Sequence, residues 1–453
     1  MKTLSMMKPS MKKTHRILFT TLFVSFAPGL VSADGKQPAT LVGHAVLPAT
    51  SFVDAPVDAP EALQISGKFT FDSMRSDVKP SNGVHMPFAG QPLQGFSGIR
   101  QIEGNQYYVL TDNGFGSKAN SPDAMLFFHT VQTDFDSGEI TVENTVFLRD
   151  LNKIIPFVIT MEGSESRYLT GADFDVEGFQ VIDGKIFIGD EFGPYLFVAD
   201  AQSGIVEESY QTIIDEKLVQ SPDHFQLRAM NPDSPQTGAN LKRSRGYEGF
   251  AASIDQSMLY PLLEGPLWDS ETQDYERVDG NEALRLLEFD VAARSWTGKS
   301  WFYRLEQDGN AIGDFNMIDE HRGLVIERDG GQGDVELACK DAQTENCFDK
   351  PAMFKRVYLI DMNVPASEPV KKLGYVDLMN ISDPEGVARL GERDDGRFTF
   401  PFVTIENVDR FDENHIIVAN DNNVQFSKGR DLLEPDNNEF ILLETSALLK
   451  LGQ

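Results

Sequence analysis

The chain has 453 residues, 40 of them basic and 70 acidic, for a formal charge of −30 at pH 7. A field of that sign repels nucleic acid and anionic membrane surfaces and attracts cations, so nucleic-acid binding is excluded. The only two cysteines, Cys339 and Cys347, have no neighbouring histidine and make no zinc site; their spacing predicts a local disulfide.

The N-terminus reads as an export signal. Lys2, Lys8, Lys12, Lys13 and Arg16 lead into the apolar run Ile17 to Leu30, which closes on Val31-Ser32-Ala33, a small-x-small cleavage pattern. That run falls short of the roughly 20 residues needed to span a bilayer. Residues 1–33 are therefore expected to be a signal peptide, and 34–453 one exported domain, periplasmic or secreted, without membrane insertion after cleavage. Residues 1–33 hold five of the basic residues and no acidic ones, so the mature charge is −35. A monomer is expected.

From residue 95 onward one pattern recurs. A strand opens beside a small or acidic pair, a second ends in acidic or amide residues, and a third is strongly apolar. The first copy is GFSGIR (95–100), YYVLTDNGFG (107–116) and MLFFHTVQTDFDSG (125–138); the second is DVEGFQVI (175–182), KIFIGDEFG (185–193) and YLFVADAQSG (195–204). The third is GYEGFAAS (246–253), MLYPLLEG (258–265) and LRLLEFDV (284–291); the fourth is IGDFNMID (312–319), GLVIERDGG (323–331) and RVYLIDMN (356–363). The fifth is FVTIENVDRF (402–411), HIIVANDNN (415–423) and EFILLETS (439–446). Fourth strands follow in several copies, as in ITVENTVFL (140–148), SWFYRL (300–305) and KLGYVDL (372–378).

β-Branched and aromatic residues dominate these runs, and Asp-Gly or Ser-Gly turns divide them. Four strands per unit around a ring predicts an all-β fold: a β-propeller of five to six four-stranded blades, with room for a sixth in 205–245 and 380–400. The fifth copy lacks a fourth strand, so an N-terminal strand, TLVGHAVL (40–47) or LQISGKFTF (63–71), is expected to close the ring.

In such a blade the start of the first strand and the end of the second lie at one mouth of the channel. The residues converging there are Ser97 with Asp112-Asn113, Glu177 with Asp190-Glu191, Glu248 with Glu264, Asp314 with Glu327, and Glu406 with Asn420-Asp421-Asn422. Carboxylates this close repel by about 4 kcal/mol per pair at 4 Å and an effective dielectric near 20, so they call for a cation, basic partners or protonation. Hard oxygen donors in that number suit Ca²⁺. Arginines are sparse: Arg100, Arg328 beside Glu327, and the run Leu-Lys-Arg-Ser-Arg (241–245) entering the third copy. The chain contains neither a P-loop nor a Gly-x-Ser-x-Gly elbow.

GFSGI with YVLTDNG, FDVEGF with IGDEFGPYL, SRGYEGFA with LLEGPL, and DPEGVA with FVTIENVDRF and IIVANDNN resemble the phytase-like family, "esterase-like activity of phytase", from about Gln94 to Phe426. The resemblance implies a phosphoester hydrolase acting on a small phosphorylated substrate. It points to Asp112, Glu177, Asp190, Glu248, Glu385, Glu406, Asn420 and Asp421 as metal ligands, with Glu191 or Glu264 as general base and Arg245 on the phosphate. The fourth copy departs from the pattern, with Gly313-Asp314-Phe315-Asn316 in place of an acidic-Gly opening. Two other functions fit the same residues: a metal-dependent lactonase, and a non-catalytic ligand-binding propeller braced by Ca²⁺.

Overall fold

The computed structural model describes residues 35–74, 85–112, 114–227, 238–340, 343, 345–424 and 426–453. The expected signal peptide and cleavage site, and Asn113, lie outside the described residues.

Twenty strands build the ring. Strand β1 (Thr40–Leu47) comes first in the chain. Blade one is β2 (Phe96–Glu103), β3 (Gln106–Thr111), β4 (Phe127–Asp134) and β5 (Glu139–Phe147). Blade two is β6 (Val176–Ile182), β7 (Lys185–Asp190), β8 (Tyr195–Asp200) and β9 (Val206–Gln211). Blade three is β10 (Tyr247–Ala252), β11 (Met258–Leu263), β12 (Asn281–Asp290) and β13 (Ser295–Arg304). Blade four is β14 (Ala311–Met317), β15 (Arg322–Arg328), β16 (Lys355–Asp361) and β17 (Lys371–Asp377). Blade five is β18 (Ile405–Arg410), β19 (His415–Asn420) and β20 (Asn438–Glu444), completed by β1, which pairs antiparallel with β20 from Thr40↔Glu444 to Leu47↔Asn438.

The first strands β2, β6, β10, β14 and β18 touch in that cyclic order, and β18 returns to β2, so the molecule is a five-bladed propeller. No sixth blade is present among the described residues: apart from β9, the stretches 205–245 and 380–400 hold only the short hairpins Ile213–Leu218 and Ile381–Phe398 there. Of the two candidate closing strands, 40–47 takes the place. Residues 63–71 form part of a 3-10 turn and isolated bridges.

First strands lie between two neighbouring blades, which is why β14 and most of β6, β10 and β18 are buried throughout. Outer strands face solvent and are half polar, as in β5. Five apolar layers, one per blade interface, hold the ring. Leu110, Phe128, Phe174 and Phe197 pack between blades one and two, Phe187, Phe250 and Phe289 between two and three, and Leu286, Tyr303, Phe315 and Tyr358 between three and four. Leu324, Val357, Ile405 and Val418 pack between four and five, and Phe96, Tyr107, Ile417 and Phe440 between five and one.

Two amides, Asn316 and Gln180, knit all five first strands together. Asn316 of β14 donates to the carbonyls of Ile99 (3.2 Å) and Val408 (2.8 Å) and accepts from Gln180 (2.9 Å), which also donates to the Phe250 carbonyl. Cys339 and Cys347 form a disulfide in the long connection of blade four.

Candidate functional site

Strand register places the site residues. In the five blades the first two strands pair at equivalent positions: Phe96↔Thr111, Val176↔Asp190, Tyr247↔Leu263, Ile312↔Glu327 and Ile405↔Asn420. In each blade the register slips at or beside that pair, a β-bulge that re-aims the neighbouring side chains. The residues one step further along each strand are the ones at the mouth. They are Ser97 and Asp112, Glu177 and Glu191, Glu248 and Glu264, Gly313 and Arg328, and Glu406 and Asp421.

Blade four is the exception, and its backbone explains part of it. A side chain at 313 would put its Cβ 2.2 Å from the Ile405 carbonyl oxygen, so only glycine fits there. Arg328 then occupies the place of the second-strand acid. A similar close approach joins blades two and three: a Cβ on Gly246 would lie 2.5 Å from the Glu191 Cα, so blade three enters directly against blade two.

The result is a set of six buried carboxylates, Asp175, Glu177, Glu191, Glu248, Glu264 and Glu406. They form three linked groups, Asp175–Glu177–Glu191, Glu177–Glu248–Glu406 and Glu191–Glu248–Glu264, with donor oxygens in each group within 4.8 Å of one another. Asp112 and Asp421 adjoin this set. Burial, and then the Asp175 charge, push the Asp112 carboxyl well up; burial, and then Asp112, do the same to Asp421. Burial is also the first cause that raises Glu177, Glu191 and Glu248, followed by Asp175 for Glu177, Glu264 for Glu191 and Glu406 for Glu248.

Two arginines balance part of the charge. Arg328 is buried and lies 2.5 Å from Glu406 Oε1 and 3.7 Å from oxygens of both Glu248 and Glu264. Burial opposes its charge, but Glu406, Glu264 and Glu248 outweigh burial and keep it protonated. Arg245, 42% exposed on the lip, pairs with Glu264. Even so, Glu191 Oε1 and Glu248 Oε1 are buried and accept no hydrogen bond. Buried oxygens left without donors need a partner. The donor set, all hard carboxylate oxygen, fits Ca²⁺ in type and number.

Three of the expected ligands belong neither to this set nor to its neighbours Asp112 and Asp421. Asp190 has both oxygens engaged by backbone, accepting from Asp175 N (2.9 Å) and Gly193 N (2.7 Å), and burial pushes its pKa up to about 6. It positions Asp175 and the turn after Glu191. Asn420 accepts from Glu439 N (2.7 Å) and donates to the Asn437 carbonyl (2.9 Å), stapling β19 to β20. Glu385 is exposed on a turn that Asp383 caps through Val387 N and Ala388 N, away from the mouth. Two other residues counted toward the mouth also face elsewhere. Glu327 is held between blades three and four by Lys372 (2.6 Å), Tyr303 (3.0 Å) and Asn310 (2.8 Å), and Asp314 accepts from the amides of Val408 (3.2 Å) and Phe315 (2.8 Å).

Asp175 was not among the expected site residues, and Arg328 was expected only as a positive charge beside Glu327. Asp175 stands two residues before Glu177, the spacing that puts two side chains on one face of a strand. That spacing was the available signal. For Arg328 it was the alignment of blade four against the others.

The chain matches the family model described as phytase-like, esterase-like activity of phytase, over residues 91–424. No curated protein matches it. Among solved structures it is similar to a luciferin-regenerating enzyme, at 10% identity and a TM-score of 0.33, covering 89% of this chain and 95% of that one. It is similar also to a protein of unknown function from Dyadobacter fermentans (8% identity, TM-score 0.36, 90% and 99% covered) and to the Dos1 propeller (9%, 0.30, 80% and 68%). At such TM-scores none of these likenesses bears on the reading, and the propeller rests on the pairing above.

Proposed function

This chain belongs to the phytase-like family, and we propose that its carboxylate mouth is the active site of a Ca²⁺-dependent phosphoester hydrolase working outside the cytoplasm. The observation that carries the reading is the linked set of buried carboxylates from blades two, three and five, two of whose oxygens have no donor. Asp175, Glu177, Glu248 and Glu406 are the residues that would hold the ion, with Asp112 and Asp421 beside them. A divalent cation in such a site supplies Lewis-acid polarisation of a phosphoryl oxygen and eases ionisation of water.

The protein's own groups have separate tasks. Arg245 is exposed enough on the lip to meet the phosphoryl oxygens, with its planar fork matched to them. Glu264 is committed to Arg245 and lies close to Arg328, so it holds the fork in place rather than moving a proton. Glu191 has a free oxygen and a raised pKa, which suits it to take the proton from the attacking water. The Cys339–Cys347 bridge supports an oxidising compartment.

Hydrolysis of a panel of phosphomonoesters and diesters, with Ca²⁺ and then with chelator, tests the reading. Turnover that needs Ca²⁺ and falls at least about 100-fold in Glu191→Gln is expected. Absence of turnover with every divalent metal would overturn it.

A further inference from the structure

Beside the mouth, on the side of blades one to three, lies a groove of about 430 Å³. Its walls are Phe71, Phe157, Val158 and Phe225, with Lys118 and Arg243 among them. Phe157 and Phe225 stack at 5.7 Å and continue into the buried rings of Phe174 and Tyr195, so the floor is a rigid aromatic surface. Phe71 and Val158 are 59% and 73% exposed, so the groove presents apolar surface to solvent.

The groove adjoins the carboxylate set through the chain itself. Asp173 in its wall precedes Asp175 by two residues, and Arg243 precedes Arg245 by two. Phe192, which follows Glu191, carries the Lys118 ammonium 5.0 Å from its ring centroid. Arg243 is paired with Asp223 at 2.8 Å. Lys118 has no carboxylate within 4.0 Å among the described residues and donates only to the Asp223 carbonyl at 3.3 Å. At the mouth, both arginines are already engaged by glutamates. A substrate bearing many phosphates would find too few free cations here. One bearing a single phosphoryl group and an apolar body would find a place for each part.

We infer that the groove binds the organic group of the substrate, and that the substrates are phosphoesters of aromatic or other apolar alcohols rather than highly phosphorylated polyols. This rests on the hydrolase reading of the adjoining mouth. Lys118 attracts the anionic ester to the rim, and the aromatic floor holds the alcohol portion while the phosphoryl group lies toward Arg245.

Two measurements test it. With Ca²⁺, kcat/KM for 1-naphthyl phosphate should exceed that for glycerol 2-phosphate and for inositol hexakisphosphate by at least about tenfold, the scale of discrimination by an apolar pocket. Val158→Asp, at an exposed position, should remove that advantage. Independently of turnover, calorimetry should show 1-naphthylphosphonate binding tighter than methylphosphonate, with the difference lost in Val158→Asp and in Phe71→Ser. Naphthylphosphonate binding no tighter than methylphosphonate, or insensitive to both variants, overturns the inference. Turnover without preference for the naphthyl ester also overturns it, while leaving the hydrolase reading intact. Variant-sensitive naphthylphosphonate binding with no turnover of any ester sinks the hydrolase reading and upholds the groove.

Discussion

Replacing Glu248 by glutamine should have opposite effects on the metal-free and Ca²⁺-loaded protein. Glu248 belongs to two of the three carboxylate groups, with oxygens within 4.8 Å of those of its neighbours. One like-charge pair at that distance costs about 3.5 kcal/mol at an effective dielectric of 20, and Arg328 at 3.7 Å offsets roughly one such pair. Proton uptake caps what remains. Holding a carboxyl of ordinary pKa 4.5 neutral in the folded state costs about 1.4 kcal/mol per pH unit above that value, so the penalty cannot exceed about 5 kcal/mol at pH 8 or about 2 at pH 6. Glu248→Gln should therefore stabilise the chelated protein by about 2–4 kcal/mol at pH 8. For the roughly 390 described residues that is a rise in Tm of about 2–5 °C. In Ca²⁺ the same change removes a ligand, so the Ca²⁺-induced rise in Tm should shrink. Scanning calorimetry of both proteins, with and without chelator, reads all four values. A fall in Tm of the chelated variant would refute the account of the mouth as a set of unrelieved charges.

Four other outcomes are expected. Without metal, stability should fall as pH rises from 5 to 8: burial holds Asp190 at about 6 and Asp314 at about 7, above their ordinary 3.8, so their contribution is complete below about pH 4 and lost through pH 6–7. Melting curves across that range check it, and Ca²⁺ should flatten the upper part. Arg328→Met should destabilise the protein by about 3–5 kcal/mol in chelator, because it strips the buried counter-charge from Glu406; urea unfolding measures it. Asn316→Ala should cost about 3 kcal/mol or more by leaving the carbonyls of Ile99 and Val408 without a donor, and hydrogen exchange should rise in the first strands of several blades. Glu385→Gln should leave both Ca²⁺ binding and turnover unchanged.

Much of this was legible in the sequence because a propeller repeats itself. Apolar strand runs and turn residues located the blades, and the missing strand at the C-terminus pointed to an N-terminal strand, 40–47 or 63–71, of which the first takes the place. The end of each second strand was visible too, but not which of two adjacent residues faces the channel. In blade two both Asp190 and Glu191 are acidic, and only the bulge decides that Asp190 caps backbone while Glu191 enters the mouth. The same one-residue offset separates Asn420 from Asp421 and Glu327 from Arg328. Glu385 lies apart from the mouth for a different reason. An acidic-Gly pair serves equally well in a surface turn, and composition does not distinguish the two uses.

The partnership of Thr40–Leu47 with Asn438–Glu444 sets a condition on how the molecule comes to exist. Joining chain segments some 400 residues apart costs on the order of 5 kcal/mol in loop entropy, and only a finished last blade offsets it. During synthesis, Thr40–Leu47 must wait for its antiparallel partner until almost the whole chain has followed, open to wrong partners in the interval. Closure of the ring therefore comes last, and a chain cut short before residue 438 leaves Thr40–Leu47 without the strand that completes its blade.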